Sequence, residues 1–173
     1  RLGAFPARSL DIDVVFDLMI HDLDVLLALV RSDVTAIDAV GVPVLTDKID
    51  IANARIRFAS GCIANLTASR ISRDRVRKAR FFQRDTYISI DYAAQEVETW
   101  RLVEEEGREP RIEGGKLDVA AEEPLHRELA DFVHAVRSGV QPGVTGEDGR
   151  RALVLAQQVA DAMARGHEGS HVP

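Results

Sequence analysis

Asp17, His21 and Asp24 stand at i, i+4 and i+7 within the run DVVFDLMIHDLDVLLALV. On a helix that spacing puts the three ionisable side chains on one face. Burying such a stripe without partners costs several kcal/mol for each unpaired charge, and roughly 1 to 3 kcal/mol even for a neutral polar group. The stripe is therefore expected to face water, a partner or a ligand. A carboxylate one turn before an imidazole can accept a hydrogen bond from the ring or stabilise its cation, which holds the ring ready to exchange a proton near neutral pH. That is a general acid/base arrangement, and the same spacing also describes a local pair on a helix surface. Spacing alone leaves both open. No metal site is expected, because His126, His134, His167 and His171 are scattered and none gives His21 a second imidazole at ligand spacing.

A second constellation is cationic. In RISRDRVRKARFFQR, Arg70, Arg73, Arg75, Arg77, Lys78, Arg80 and Arg84 meet a single acid, Asp74. Converging guanidinium groups attract an anion by roughly 1.5 to 3 kcal/mol for each charge-assisted bond. Phe81, Phe82 and Tyr87 follow in the manner of an aromatic-interleaved nucleic-acid surface. Against that reading, Glu96, Glu98, Glu104, Glu105, Glu106 and Glu109 lie downstream, able to pair with the strip across neighbouring strands or subunits. A solvated or interfacial strip is one reading. The other is that Arg70 and Arg73, near the end of a hairpin, bind an anionic ligand, with Arg8 in the loop before the first helix as a further contact.

The elements that must carry these residues are those of a packed globular chain. Its 173 residues include 46% hydrophobic and 29% charged residues, which fits one core and excludes a complete two-domain enzyme. The net charge of -6 and pI near 5.4 argue against binding the polyanionic backbone of DNA or RNA. Cys62 is the lone cysteine, so no internal disulfide and no cysteine zinc site can form. Charges break the apolar runs well short of the roughly 18 to 20 residues of a membrane span, and the N-terminus lacks a signal-peptide core. A cytoplasmic protein is expected, and an opening at Arg1, reading RLGAFPAR, suggests a chain that begins mid-protein.

Asp13 is suited to cap a helix running to about Val30. Residues 34–44, 50–59, 62–72, 77–84, 86–92 and 96–103 read as a meander of about six strands, paired antiparallel because their connections are short. Residues 104–124 read as a mobile excursion or edge hairpin. Leu125, Leu129, Phe132, Val133 and Val136 repeat at helical spacing until Gly139, and Thr145 with Asp148 resembles a capping box before Ala152, Leu155, Ala156, Val159 and Met163. The sum is an α+β fold with helices on one face of a mostly antiparallel open sheet. Alternation places Cys62, Ala64, Leu66, Ala68 and Arg70 on the face under the helices, and Ile63, Asn65, Thr67, Ser69 and Ile71 on the face available for a sheet-to-sheet contact.

The stretch DVVFDLMIHDLDVLLAL resembles the signature helix of the C-terminal domain in the Gfo/Idh/MocA family of NAD(P)-dependent sugar and polyol oxidoreductases. The hairpin IANARIRFASGCIANLTASR is similar to that family's central sheet, and EPLHRELADFVHAVRSGVQPGVTGEDGRRALVLAQQVADA to its closing helices. The resemblance implies a glyceraldehyde-3-phosphate dehydrogenase-like C-terminal fold. It implies His21 as acid/base for the carbinol being oxidised, Asp17 as its electrostatic support, and NAD or NADP as cofactor. It also implies a homodimer or homotetramer formed through the sheet face. The family's GxGxxG cradle and Glu-Lys-Pro motif have no counterpart here, and Gly143, Gly146 and Gly149 are spaced otherwise. Residues 1–173 are therefore expected to be a substrate and oligomerisation domain without its Rossmann half, silent by itself. DLMIHDLD and ANLTASR resemble members acting on UDP-N-acetylglucosamine, which would make Arg8, Asp24, Arg70 and Arg73 contacts to a nucleotide-sugar. The competing class is a dimerisation or ligand-binding module without redox activity, in which the Asp17 and His21 stripe is a polar seam.

Overall fold

A computed structural model describes residues 1–5 and 10–168. The chain divides into two compact units, residues 1–75 with 141–173, and residues 76–140.

The first unit opens with Leu2 in a parallel bridge to Ser69, then a π-helical turn, Val15–Met19, leading into α1, Ile20–Leu29. Three antiparallel strands follow in the order β1, Val34–Val42, β2, Ile51–Phe58, and β3, Ile63–Ser69. In β2 the alternation is complete: Ala52, Ala54, Ile56 and Phe58 are buried while Asn53, Arg55 and Arg57 are exposed. The core joins that face to Val14, Val15, Met19 and Leu23 of the first helix, with Ala64 and Leu66 of β3 packed against it. The last helix, Gly146–Glu168, closes it with Leu155, Ala156, Val159 and Met163. This last helix lies so close to β1 that a Cβ on Gly41 would come within 2.6 Å of Met163 Sδ and 2.7 Å of Ile49 Cγ2. Its start is the expected capping box: Asp148 N–H donates to Thr145 Oγ1 at 3.2 Å, and Thr145 N–H donates to Asp148 Oδ2 at 2.9 Å.

The second unit is a four-stranded antiparallel meander: β4, Lys78–Gln83, β5, Thr86–Asp91, β6, Glu96–Val103, and β7, Arg111–Leu117. Its helix α2, Pro124–Ser138, starts on Glu123, whose carboxylate accepts from Leu125 N–H and His126 N–H, and ends at Gly139 with φ 66°. With α2 placed, the last helix of the first unit is α3.

The α+β class with antiparallel sheets is as the sequence implies, with two differences. Of the two readings of residues 104–124, the edge hairpin is the one found: residues 111–117 pair with β6 along their whole length, so instead of about six strands the described residues hold seven, hydrogen-bonded as sheets of three and four. Among the described residues no ion pair within the chain joins the acidic segment to the arginine strip. Lys78 pairs with Asp91 of β5, whereas Glu96 takes Lys116 and Glu105 takes Arg108 and Arg111. The reason is register: β5 lies between β4 and β6, so acids on β6 face β5 and β7.

Candidate functional site

The helix carrying the acid/base candidates is not a uniform α-helix. Ile20 N–H donates to Val15 O, five residues back, which is the π-helical pattern. One extra residue is thereby packed into the turn that holds Asp17, a feature frequent at functional sites. Asp17 is half-buried in this turn, His21 is exposed on the first turn of α1, and Asp24 is half-buried one turn further. Among the described residues no hydrogen bond or ion pair joins Asp17 to His21 or to Asp24. The expected contact relies on α-helical i, i+4 geometry, and the π-turn changes that register between the two residues.

Asp13 was expected to cap this helix with its side chain and does not. Its Oδ1 accepts from Ile49 N–H at 2.9 Å, while Val14 N–H donates back to Ile49 O at 2.9 Å. The helix entrance is thus stitched to the connection between β1 and β2. That connection, residues 43–50, is wrapped around one carboxylate. Asp50 is fully buried; its Oδ2 accepts from Val44, Leu45 and Thr46 N–H at 2.8, 2.7 and 2.9 Å, and its Oδ1 accepts from Thr46 Oγ1 and Arg70 Nε, both at 2.8 Å. Burial alone would raise its pKa and favour the neutral form. The Leu45 and Val44 amides, then the Arg70 guanidinium and the Thr46 amide, outweigh burial and hold Asp50 well below the ordinary carboxylate range.

This network decides the fate of Arg70. Its side chain is 1% exposed, with Nη1 donating to Ile12 O at 2.8 Å and Nη2 to Thr46 Oγ1 and Ile49 O at 3.3 Å. The expectation that Arg70 reaches a diphosphate is corrected by that geometry: the guanidinium serves the fold. Arg73, three residues on, is exposed. Arg8 lies outside the described residues. Asp24 lines a cleft of roughly 620 Å³ together with Arg31, Asp33, Asp148 and Arg151. The structure thus brings Asp17, His21 and Asp24 onto one helix and separates Arg70 from them. Sequence reasoning missed Asp50 and the tether role of Asp13. The available signal was Arg70 itself, which strand alternation puts on a small apolar face where a cation needs a buried anion.

Among the described residues no three His, Cys, Asp or Glu side chains group as a metal site requires. All strand pairs within the two sheets are antiparallel, so among the described residues no parallel strand, glycine turn and helix unit offers an amide-lined phosphate site for a dinucleotide. The residues present do not fit a nicotinamide dinucleotide by themselves.

Residues 7–88, which include the π-turn, α1 and the first sheet, match the GFO/IDH/MocA C-terminal domain. Over those residues the chain is similar to the C-terminal domain of that family. It is 39% identical over 166 residues to UDP-N-acetylglucosamine 3-dehydrogenase of Acidithiobacillus ferrooxidans, covering 94% of this chain and 52% of the relative. A solved structure of a protein of that name and organism superimposes with a TM-score of 0.85 at 38% identity, over 95% of this chain and 52% of the other. Levoglucosan dehydrogenase in complex with NADH and levoglucosan shares the fold with a TM-score of 0.78 at 17% identity, over 95% and 55% of the two chains. The chain therefore spans about half the length of the relatives it matches. No helix among the described residues is long and apolar enough to cross a membrane.

Proposed function

We propose that the chain is the substrate half of a cytoplasmic NAD(P)-dependent oxidoreductase that oxidises a secondary alcohol of a UDP-sugar. The observation that carries this reading is the 39% identity to UDP-N-acetylglucosamine 3-dehydrogenase along nearly the whole chain. NAD or NADP, bound by residues outside this chain, would accept the hydride. His21 would take the hydroxyl proton; it is exposed, on a helix whose entrance is tied down and whose other side is in the core. Asp17, one turn earlier and half-buried, supports the imidazolium by its negative charge. Asp24 and Arg73, with Arg8, are the polar groups left to meet the sugar and its diphosphate. The open face of the first sheet, with Asn53, Arg55, Arg57, Asn65 and Thr67 exposed, suits a wet contact between copies in a homodimer or homotetramer.

The test uses a polypeptide that joins this chain to a dinucleotide-binding half. His21→Ala is expected to lower turnover of UDP-N-acetylglucosamine by at least about a hundredfold, the usual worth of a positioned acid/base. Unchanged turnover would remove the acid/base assignment. Equal binding of UDP-N-acetylglucosamine, glucose and inositol would remove the nucleotide-sugar.

A further inference from the structure

The bonds on either side of Ile49 and around Asp50 converge on three consecutive residues at one place, the entrance of the helix that carries Asp17 and His21. Arg70 Nη1 holds Ile12 O at 2.8 Å, Ile49 N–H holds Asp13 Oδ1 at 2.9 Å, and Val14 N–H is held by Ile49 O at 2.9 Å. Behind them Arg70 and Asp50 are joined twice, by the side-chain pair at 2.8 Å and by Arg70 N–H donating to Asp50 O at 3.0 Å. Asp50 in turn gathers the amides of Val44, Leu45 and Thr46, so an eight-residue connection without regular structure is bound to a single carboxylate. Immediately beyond the tethered residues the chain enters the π-turn, and Val15, Met19 and Leu23 drop into the core. The helix is thus fixed at its entrance by polar bonds and along one side by packing. Those two constraints together set the position of the remaining side, on which His21 is exposed.

A buried ion pair of this kind is poor evidence of net stabilisation, because desolvating both ions offsets most of their attraction. A fully satisfied buried network does confer one geometry, since each member has a fixed partner and any alternative leaves a buried charge or amide unpaired.

We propose that Asp13 is a positioning residue for His21, and that the Asp50 and Arg70 pair is the anchor through which it acts. The inference rests on the acid/base reading of His21. Asp13 touches no reacting atom; it holds the helix start so that the imidazole stands at the substrate carbinol and not beside it. A misplacement of about 1 Å at a reacting group can lower a rate by about a hundredfold.

The experiment compares Asp13→Ala, Asp13→Asn and His21→Ala in the polypeptide that includes a dinucleotide-binding half, with UDP-N-acetylglucosamine as substrate. Asparagine keeps the Oδ1 acceptor for Ile49 N–H and removes only the charge; alanine removes the acceptor. Asp13→Ala is expected to lower kcat at least tenfold with KM within twofold of the parent, and Asp13→Asn to restore kcat to within threefold. A folded Asp13→Ala with the parent kcat overturns the proposal, as does an Asp13→Asn variant as impaired as alanine. If Asp13→Ala does not fold, Thr46→Val, which removes one hydroxyl from the Asp50 and Arg70 pair, is read by the same kcat and KM criterion, with Thr46→Ser as its rescue. His21→Ala separates the two readings. Parent-like turnover in that variant sinks the acid/base assignment. Lost turnover there, with parent-like kcat in Asp13→Ala, sinks only the positioning role.

Discussion

The two units of the chain use charge in opposite ways. In the first, one acid and one base are removed from water altogether: Asp50 and Arg70 are 0% and 1% exposed, and between them they organise the β1 to β2 connection and the helix entrance. In the second, Glu105 holds Arg108 and Arg111, Lys78 holds Asp91 and Lys116 holds Glu96, all on the surface of a four-stranded sheet. The number of ion pairs says little about what each unit owes to them. A buried pair cannot exchange its partner for water, so it dictates geometry; an exposed pair can, and is screened by salt.

The sharpest way to break the contrast is to take one partner from the buried pair. Arg70→Met keeps much of the side-chain volume but leaves the Asp50 carboxylate without its guanidinium, and is expected to destabilise the first unit by about 3 to 5 kcal/mol in a urea titration. The same pair predicts an acid response. Because Asp50 is held below the ordinary carboxylate range in the folded chain, its contribution to stability is present above the unfolded value near 4. It fades as pH falls from about 5 towards the folded value. Asp50→Asn should start from a lower stability at pH 7 and show a shallower loss between about pH 5 and 3. A parallel decline in parent and variant would show that other carboxylates govern acid unfolding.

How much of this was readable beforehand follows from the same residues. Alternation along 62–70 puts Ala64, Leu66 and Ala68 inside, and the structure agrees. It also put Arg70 inside, and that parity outweighs the arginine-rich strip in which Arg70 sits. Periodicity is a local signal, so it found α2, α3 and the capping box at Thr145. The partner of Arg70 is twenty residues away, and only the β2 to β3 pairing, Ile51 opposite Ser69, brings it alongside. The π-turn was invisible for a related reason. Its neighbours are an entrance tied to Ile49 and a core face set by Met19 and Leu23, neither of which is written in the spacing of Asp17 and His21.

A smaller effect sharpens the comparison through packing. Gly41 on β1 has Met163 Sδ and Ile49 Cγ2 inside the space a Cβ would need. Ile49 is also the residue whose backbone holds the helix entrance. Gly41→Ala is expected to destabilise by about 1 to 3 kcal/mol through overpacking, read as a lower denaturant midpoint for the first unit. Both contacts are with side-chain atoms, so a variant as stable as the parent would mean that Met163 and Ile49 move aside without disturbing the tether.

The smallest effect belongs to the second unit. The Arg111 and then Arg108 guanidinium groups lower the pKa of the Glu105 carboxyl, and all three side chains are solvent-accessible. Glu105→Gln removes the charge while keeping a hydrogen-bond acceptor. Water and salt ions can replace what is lost, so the denaturant midpoint of the second unit is expected to be unchanged within error at 0.15 M salt, roughly the physiological ionic strength. At about 0.01 M salt, where charges are largely screened only beyond about 30 Å, a slight lowering should emerge and vanish again as salt is added. A large loss that persists at high salt would place this exposed pair in the same class as Asp50 and Arg70, and the contrast between the two units would then rest on burial in name only.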